Sequence, residues 1–246
     1  MRVMGILNAT PDSFSDGGEL DDGLHERIAC MIDEGADILD VGGESTRPGH
    51  VPVSAEAEIA RVVPVIEAIR DIDARVPISI DTSKAAVARR AIDAGATWVN
   101  DVRGLTDPEM VDVARHAHRV VLMRSDSIEG DIVAGAARQL DAIARRAIEG
   151  GLDASCIILD PGLGFGERPG ADVDANLALI DAGAAFGPYP TLIGASRKRF
   201  VGTLMAEPDP RRRVAGSVAM AVRARDAGAS YVRVHDVRAT VEALQR

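Results

Sequence analysis

Three times in this chain a helical stretch ends on a glycine, a short apolar run follows, and a polar residue stands five positions after the glycine. Glu34-Gly35-Ala36-Asp37 leads into Ile38-Leu39-Asp40, Ala94-Gly95-Ala96-Thr97 into Trp98-Val99-Asn100, and Ala227-Gly228-Ala229-Ser230 into Tyr231-Val232-Arg233. A supersecondary unit reused in this way constrains the fold more than any single motif, because no copy can bury its strand alone. Apolar runs fall at 3–7, 38–41, 78–80, 98–99, 120–123, 157–159, 192–193 and 231–234. Segments of helical spacing lie at 21–34, 55–72, 84–94, 109–118, 132–149, 175–184, 214–227 and 237–244. This alternation predicts an α/β chain, a (β/α)8 TIM barrel forming a single domain over 1–246. The strands are short and almost wholly apolar, as strands covered on both faces are. A doubly wound open sheet is the alternative, but no G-x-G-x-x-G follows the first strand.

A net charge of −10 argues against a nucleic-acid groove or an anionic membrane surface as partner. Any anionic ligand must then be met by a local cluster of cations. Cys30 and Cys156 sit among apolar neighbours without metal-ligand spacing, which predicts buried free thiols in a reducing compartment. No secretory leader pattern precedes the first strand, and no apolar run approaches the ~18 residues of a membrane span. The expected location is the cytoplasm.

In such barrels the chemistry occupies the C-terminal ends of the strands. The residues at those ends are Asn8, Asp40 with Gly42-Gly43-Glu44-Ser45-Thr46-Arg47, Asp81, Asn100-Asp101, Arg124, Asp160, Ser196-Arg197-Lys198, and Arg233 with His235. For any one of them, capping the next helix is as good an account. Asp81 before Thr82-Ser83, and Asp236 after His235, suit that account well. For Asn8, Asn100, Asp160 and Lys198 together it is poor, and Asp160 opens a Gly-rich loop, Pro161-Gly162-Leu163-Gly164-Phe165-Gly166, in which no helix can start at once.

These groups suggest recognition of a flat, hydrogen-bonding heterocycle. A carboxylate such as Asp160 accepts two parallel N–H bonds from an amino-lactam edge, Asn100 donates and accepts beside it, and Arg233 can stack on an aromatic face. Arg233 and His235, two apart on one strand, project the same way and with Arg47 make a cationic wall suited to phosphate or diphosphate. Ser196-Arg197-Lys198 opens a short helix where barrels commonly bind phosphate. Aromatic residues are only 3% of the chain, so Phe14 in the first loop and Phe165 in the Gly-rich loop stand out, with loop packing as an equal account. Arg211-Arg212-Arg213 is expected to be a solvated helix start, Trp98 to be core, and His25, His50, His116 and His118 show no metal spacing. The loop after the first apolar run, 10–18, and the segment 45–53 are rich in turn formers and are expected to order only over bound substrates.

MGILNATPDSFSDGG, DVGGESTRPG, SIDTSK, VNDVRG, DPGLGFG, GASRKRF and RVHDV, in this order from Met4 to Val237, resemble the motif set of the dihydropteroate synthases. The resemblance implies a (β/α)8 barrel of folate biosynthesis that joins (7,8-dihydropterin-6-yl)methyl diphosphate to 4-aminobenzoate with Mg2+, a homodimer and a sulfonamide target. It implies Asn8 at the metal, and Asp81, Asn100, Asp160 and Lys198 on the pterin, with Asp81, Lys198 and Arg233 catalytic. Thr46, Arg233 and His235 would meet the diphosphate. Loops carrying Phe14, Asp16 and Arg47 would close over the substrates, and Phe165 and Pro48 would wall the aminobenzoate. Three positions depart from the usual pattern: Arg124 where many members have His, Glu167 where many have Lys, and Arg199 where many have Ser. A pterin-binding methyl-transfer domain and a silent pterin-binding paralogue are the rival readings; the former has no use for a diphosphate wall or the lysine of Ser196-Arg197-Lys198.

Overall fold

The computed structural model describes residues 1–9, 22–44, 52–166 and 169–245. Its eight strands are β1 (Arg2–Asn8), β2 (Ile38–Gly42), β3 (Ile78–Asp81), β4 (Trp98–Asp101), β5 (Arg119–Met123), β6 (Ile157–Asp160), β7 (Leu192–Ile193) and β8 (Tyr231–Val234). All pairings are parallel, in the order β6-β5-β4-β3-β2-β1-β8-β7, and one parallel bridge between Leu159 and Thr191 brings β6 against β7. The result is the expected (β/α)8 arrangement, a nearly closed barrel. Helices α1 (Asp22–Asp33), α2 (Ala55–Ile72), α3 (Ala85–Asp93), α4 (Met110–Ala114), α5 (Ile132–Glu149), α6 (Val173–Ala182), α7 (Arg199–Met205), α8 (Val214–Asp226) and α9 (Val237–Leu244) follow them, one after each strand except β7, which α7 and α8 both follow.

The repeated glycine is the device that turns each helix into the next strand. Gly35, Gly95 and Gly228 all have φ between 85° and 115°, a region closed to most side chains. At each, the glycine N–H bonds a carbonyl three residues back and the next N–H reaches one five back, as in Gly95 to Ile92 and Ala96 to Ala91. This double bond satisfies the helix's last carbonyls and reverses the chain. The strand then starts at a fixed distance from the cap, which sets the height of every side chain on it.

Period-2 alternation sorts the strand residues into two cores. Met4, Ile38, Trp98, Val121, Ile158, Leu192 and Tyr231 fill the barrel's interior, with Trp98 and Tyr231 edge to face at 5.5 Å. Leu39, Val41, Ile80, Val99, Val120, Leu122, Leu159 and Val232 face outward into the layer beneath the helices. Trp98 is core, as expected.

Other expectations are corrected. The helix foreseen over 109–118 is only Met110–Ala114, because the chain tightens into three-residue turns to deliver the His118 N–H to the Thr97 carbonyl at 2.7 Å. Arg211-Arg212-Arg213 is a solvated helix start only in part: Arg211 and Arg212, in the 3-10 turn Pro210–Arg212, are exposed, but Arg213, the N-cap residue of α8, is 7% exposed with its guanidinium spent on backbone carbonyls. Neither cysteine is buried: Cys30 is exposed and Cys156 half-buried. An apolar neighbourhood in sequence does not say which helix face a residue takes. Thr10–Gly18, most of 45–53, and with them Phe14, Asp16, Thr46, Arg47, Pro48, His50 and Glu167, lie outside the described residues.

Trp98→Ala is expected to cost about 3–5 kcal/mol, the usual range for an aromatic removed from a packed core. Urea unfolding followed by far-ultraviolet circular dichroism measures it, and a loss near zero would place Trp98 outside the interior layer.

Candidate active site

Above the apolar interior layer the strands turn polar at one level. Asp40 on β2, Asn100 on β4 and Arg233 on β8 each stand five residues after their cap glycine, and they meet. Arg233 Nε donates to Asp40 Oδ2 at 2.6 Å and a second Arg233 nitrogen donates to Asp81 Oδ2 at 2.6 Å. Asn100 Nδ2 donates to the same Asp40 oxygen at 3.4 Å. One guanidinium thus links three strands and is shared by two buried carboxylates. Burial works against the Arg233 charge, but Asp40 and Asp81 outweigh it and hold the group above its usual range. Asp81 is pushed up to about 7 by burial, which Arg233 opposes and Asp40 reinforces. The other oxygens, Asp40 Oδ1 and Asp81 Oδ1, are buried without a partner.

A second group lies across the mouth. Asp160 ends β6; its Oδ1 accepts the Gly162 N–H at 2.7 Å, and burial raises its pKa against the pull of Lys198. Lys198 Nζ donates to the Leu163 carbonyl and sits 4.6 Å above the Phe165 ring centroid. Burial lowers its pKa to about 8, with Asp160 opposing. The segment that presents Lys198 is held from outside. Arg197 takes a left-handed φ of 60°, its guanidinium pairs with Asp236 at 2.5 and 3.1 Å, and its N–H bonds Ser217 Oγ at 2.9 Å. Arg213 donates to the carbonyls of Arg197 and Lys198. His235 joins this edge: Ser196 Oγ accepts the His235 backbone N–H at 3.2 Å and lies 3.0 Å from Nδ1.

Of the residues singled out in sequence, Asp81, Asn100, Asp160, Phe165, Lys198, Arg233 and His235 come together at this mouth, and Asn8 ends β1 beside it, half-buried. Two expectations change. Asp81 and Asp236 cap no helix with their side chains; they pair with Arg233 and Arg197. Arg233 is not a free cation of a wall, since two carboxylates already claim it. Asp101, adjacent to Asn100, faces the loop and accepts the N–H groups of Arg103 and Leu105. Sequence reading passed over Asp40 as a site residue, although the five-residue spacing carried the signal. It also passed over Asn176, whose side chain accepts the Gly164 N–H and donates to the Gly170 and Asp172 carbonyls. Lys84 pairs with Glu44 and the buried Glu58 beneath the second strand's loop. No signal short of the fold pairs these residues. Among the described residues no three His, Cys, Asp or Glu side chains cluster as a metal site.

The model of the family described as pterin binding enzyme matches residues 4–235. A dihydropteroate synthase of Bacillus subtilis is 44% identical over 96% of this chain and 84% of its own length. The solved dihydropteroate synthase of Xanthomonas albilineans with 4-aminobenzoic acid aligns with a TM-score of 0.90 at 42% identity, covering 99% of this chain and 90% of that one. The Burkholderia cenocepacia dihydropteroate synthase complexed with 7,8-dihydropteroate aligns with a TM-score of 0.87 at 42% identity, over 99% and 89%.

Asp81 has a measurable signature. Its folded pKa of about 7 lies above the ordinary 3.8, so its stabilising contribution is full below 3.8 and lost as pH rises through about 7. Relative to Asp81→Asn, the free wild-type protein should therefore lose stability over that window. Urea midpoints of both proteins across the window check this, and a flat difference would show an unshifted carboxyl.

Proposed function

This chain belongs to the pterin binding enzyme family, in its dihydropteroate synthase branch, and we propose that the mouth around Arg233 and Lys198 is where its reaction runs. The chain is a transferase of folate biosynthesis: it joins (7,8-dihydropterin-6-yl)methyl diphosphate to 4-aminobenzoate and releases diphosphate. The observation that carries the site assignment is the meeting of Asp81, Asn100 and Arg233 with Asp160 and Lys198 at the strand ends directly above the apolar layer. Polar groups gathered in a largely dry place cost folding free energy unless a ligand or water meets them. A flat heterocycle with N–H groups at its edge, lying on the apolar layer, meets Asp160 and Asn100.

In this reading Asp160 and Asn100 take the amino-lactam edge of the pterin, and Lys198 donates to its ring carbonyl or nitrogen from above Phe165. Arg233, shared by Asp40 and Asp81, orients both carboxylates toward the ring. When the diphosphate leaves, the exocyclic methylene carbon becomes electron-poor, and positive charge spreads into the ring. Two carboxylates against one guanidinium favour that charge where it develops. His235 is assigned by the family pattern to the departing anion and not to the amine as a base. Thr46 and Arg47 are assigned to the same anion, and Phe14, Asp16 and Pro48 to the closing loops, by the family pattern. The aniline nitrogen is a weak nucleophile and finds no base among these groups, so departure first and attack second suits the residues better than direct displacement.

Mg2+ fits the residues in one way. With no cluster of three ligating side chains among the described residues, the ion would rest on the amide of Asn8 and otherwise on substrate oxygens and water, a habit common for this metal. Bound so, it would supply charge neutralisation to the diphosphate. A homodimer, a cytoplasmic location and inhibition by sulfonamides, which mimic the aminobenzoate, complete the proposal; no described helix is long and apolar enough to cross a membrane.

Asp160→Asn should weaken binding of a pterin analogue by roughly 2–4 kcal/mol, the scale of breaking a buried charge-assisted pair. Calorimetry on the folded variant decides it, and unchanged affinity removes Asp160 from the pocket. For the order of events, a diphosphate ester labelled at the bridging oxygen should scramble its label on the enzyme when no reactive amine is present. Arg233→Ala should slow scrambling as much as turnover. Label that stays in place on active enzyme would establish direct displacement.

A further inference from the structure

Arg124, one residue past the end of β5, is among the largest fully buried side chains of the protein, at 1% exposure. A charge so placed demands partners, and its two terminal nitrogens find hydrogen bonds on backbone, while Nε has none among the described residues. Its guanidinium donates to the carbonyls of Pro161 and Phe165, each at 3.2 Å, and of Asp126. Two of these belong to the Gly-rich loop after β6 and the third to its own loop. Its backbone takes part as well: the Arg124 N–H extends the β5–β6 ladder to the Asp160 carbonyl at 3.3 Å. A Cβ at Gly162, whose φ is 66°, would collide with the Arg124 carbonyl oxygen. The two loops are therefore closed on each other around one side chain.

The loop so held does two things for Lys198. Leu163, between the clasped carbonyls of Pro161 and Phe165, accepts from Nζ, and the Phe165 ring lies beneath the ammonium. Lys198 has few other constraints on its amine, since it sits on the opposite side of the seam between β6 and β7, where a single bridge replaces a ladder. We infer that Arg124 is a positioning residue for the pterin pocket, acting through the 161–166 loop to seat Lys198. This rests on the reading of the pocket given above. A neutral or shorter side chain at 124 leaves three backbone carbonyls, that of Pro161 in a buried residue, to find other donors, and the loop then shifts away from Lys198. The charge adds a second, smaller effect of the same kind. Lys198 is faced by Asp160, Asp81, Arg233 and Arg124, and the Arg124 charge favours the ionised form of Asp160, Lys198's main counter-charge.

The test is a double-mutant cycle read by calorimetric binding of 6-hydroxymethylpterin. Wild-type protein must bind this probe; failure there overturns the pocket assignment itself and is distinct from a failure of the Arg124 variants. Arg124→Met should weaken binding roughly tenfold, the size of one charge-assisted hydrogen bond lost. In a Lys198→Gln background the same change should cost less than about twofold, because the group through which Arg124 acts is gone. In an Asn100→Ala background, across the barrel, it should again cost roughly tenfold. Should Arg124→Met fail to fold, Arg124→Lys, which keeps the charge and one donor prong, is carried through the same three backgrounds. Equal losses in all three backgrounds, or unchanged binding in the first, overturn the inference.

Discussion

The site depends on one guanidinium shared by two carboxylates. Arg233 on β8 is half-buried, bonded to Asp40 two strands away and to Asp81 on the strand beyond that. In a low-dielectric interior neither carboxylate could be kept there alone, and the arginine alone would be worse placed still. Together they are stable enough to be built in, yet the balance is uneven, two negative groups to one positive. Burial raises the Asp81 pKa, with Arg233 opposing and Asp40 adding.

The opposite wall is built on a different principle. Between β6 and β7 the ladder is reduced to a bridge, and polar side chains take over the joining of the two strands' loops. Lys198 reaches from one to the Leu163 carbonyl of the other, Arg213 and Asp236 fix the segment that carries it, and Asn176 and Arg124 fix the loop it reaches. Each of these holds backbone carbonyls or amides, so the pocket wall is rigid by hydrogen bonding where the sheet does not make it so. The acidic chain as a whole repels anions, and the cations that meet the diphosphate must be placed singly at this rim.

The repeated unit read from the sequence explains more than the strand count. A glycine in a left-handed turn ends the helix, and the strand begins a fixed number of residues later. The third strand residue then faces inward at one height, which is why Asp40, Asn100 and Arg233 fall on a common level. Their polarity at that spacing was legible, as were the Gly-rich loop after Asp160 and the Lys198 segment. What could not be read is which of them touch. Asp40 looked like one polar strand end among several until Arg233, 193 residues away, was found bonded to it. Arg213 looked like a solvated charge in a basic run, and Arg124 like a mere departure from a familiar pattern.

The sequence by itself determined the order of strands and helices and the list of groups available at the barrel mouth. These follow from local rules: caps, turns and a period of two. Only the tertiary structure decided the partners: Arg233 between two aspartates, Arg124 beneath the Gly-rich loop, Cys30 on the surface. Ion pairing and burial act between residues that closure of the barrel brings together, and no local pattern carries that distance.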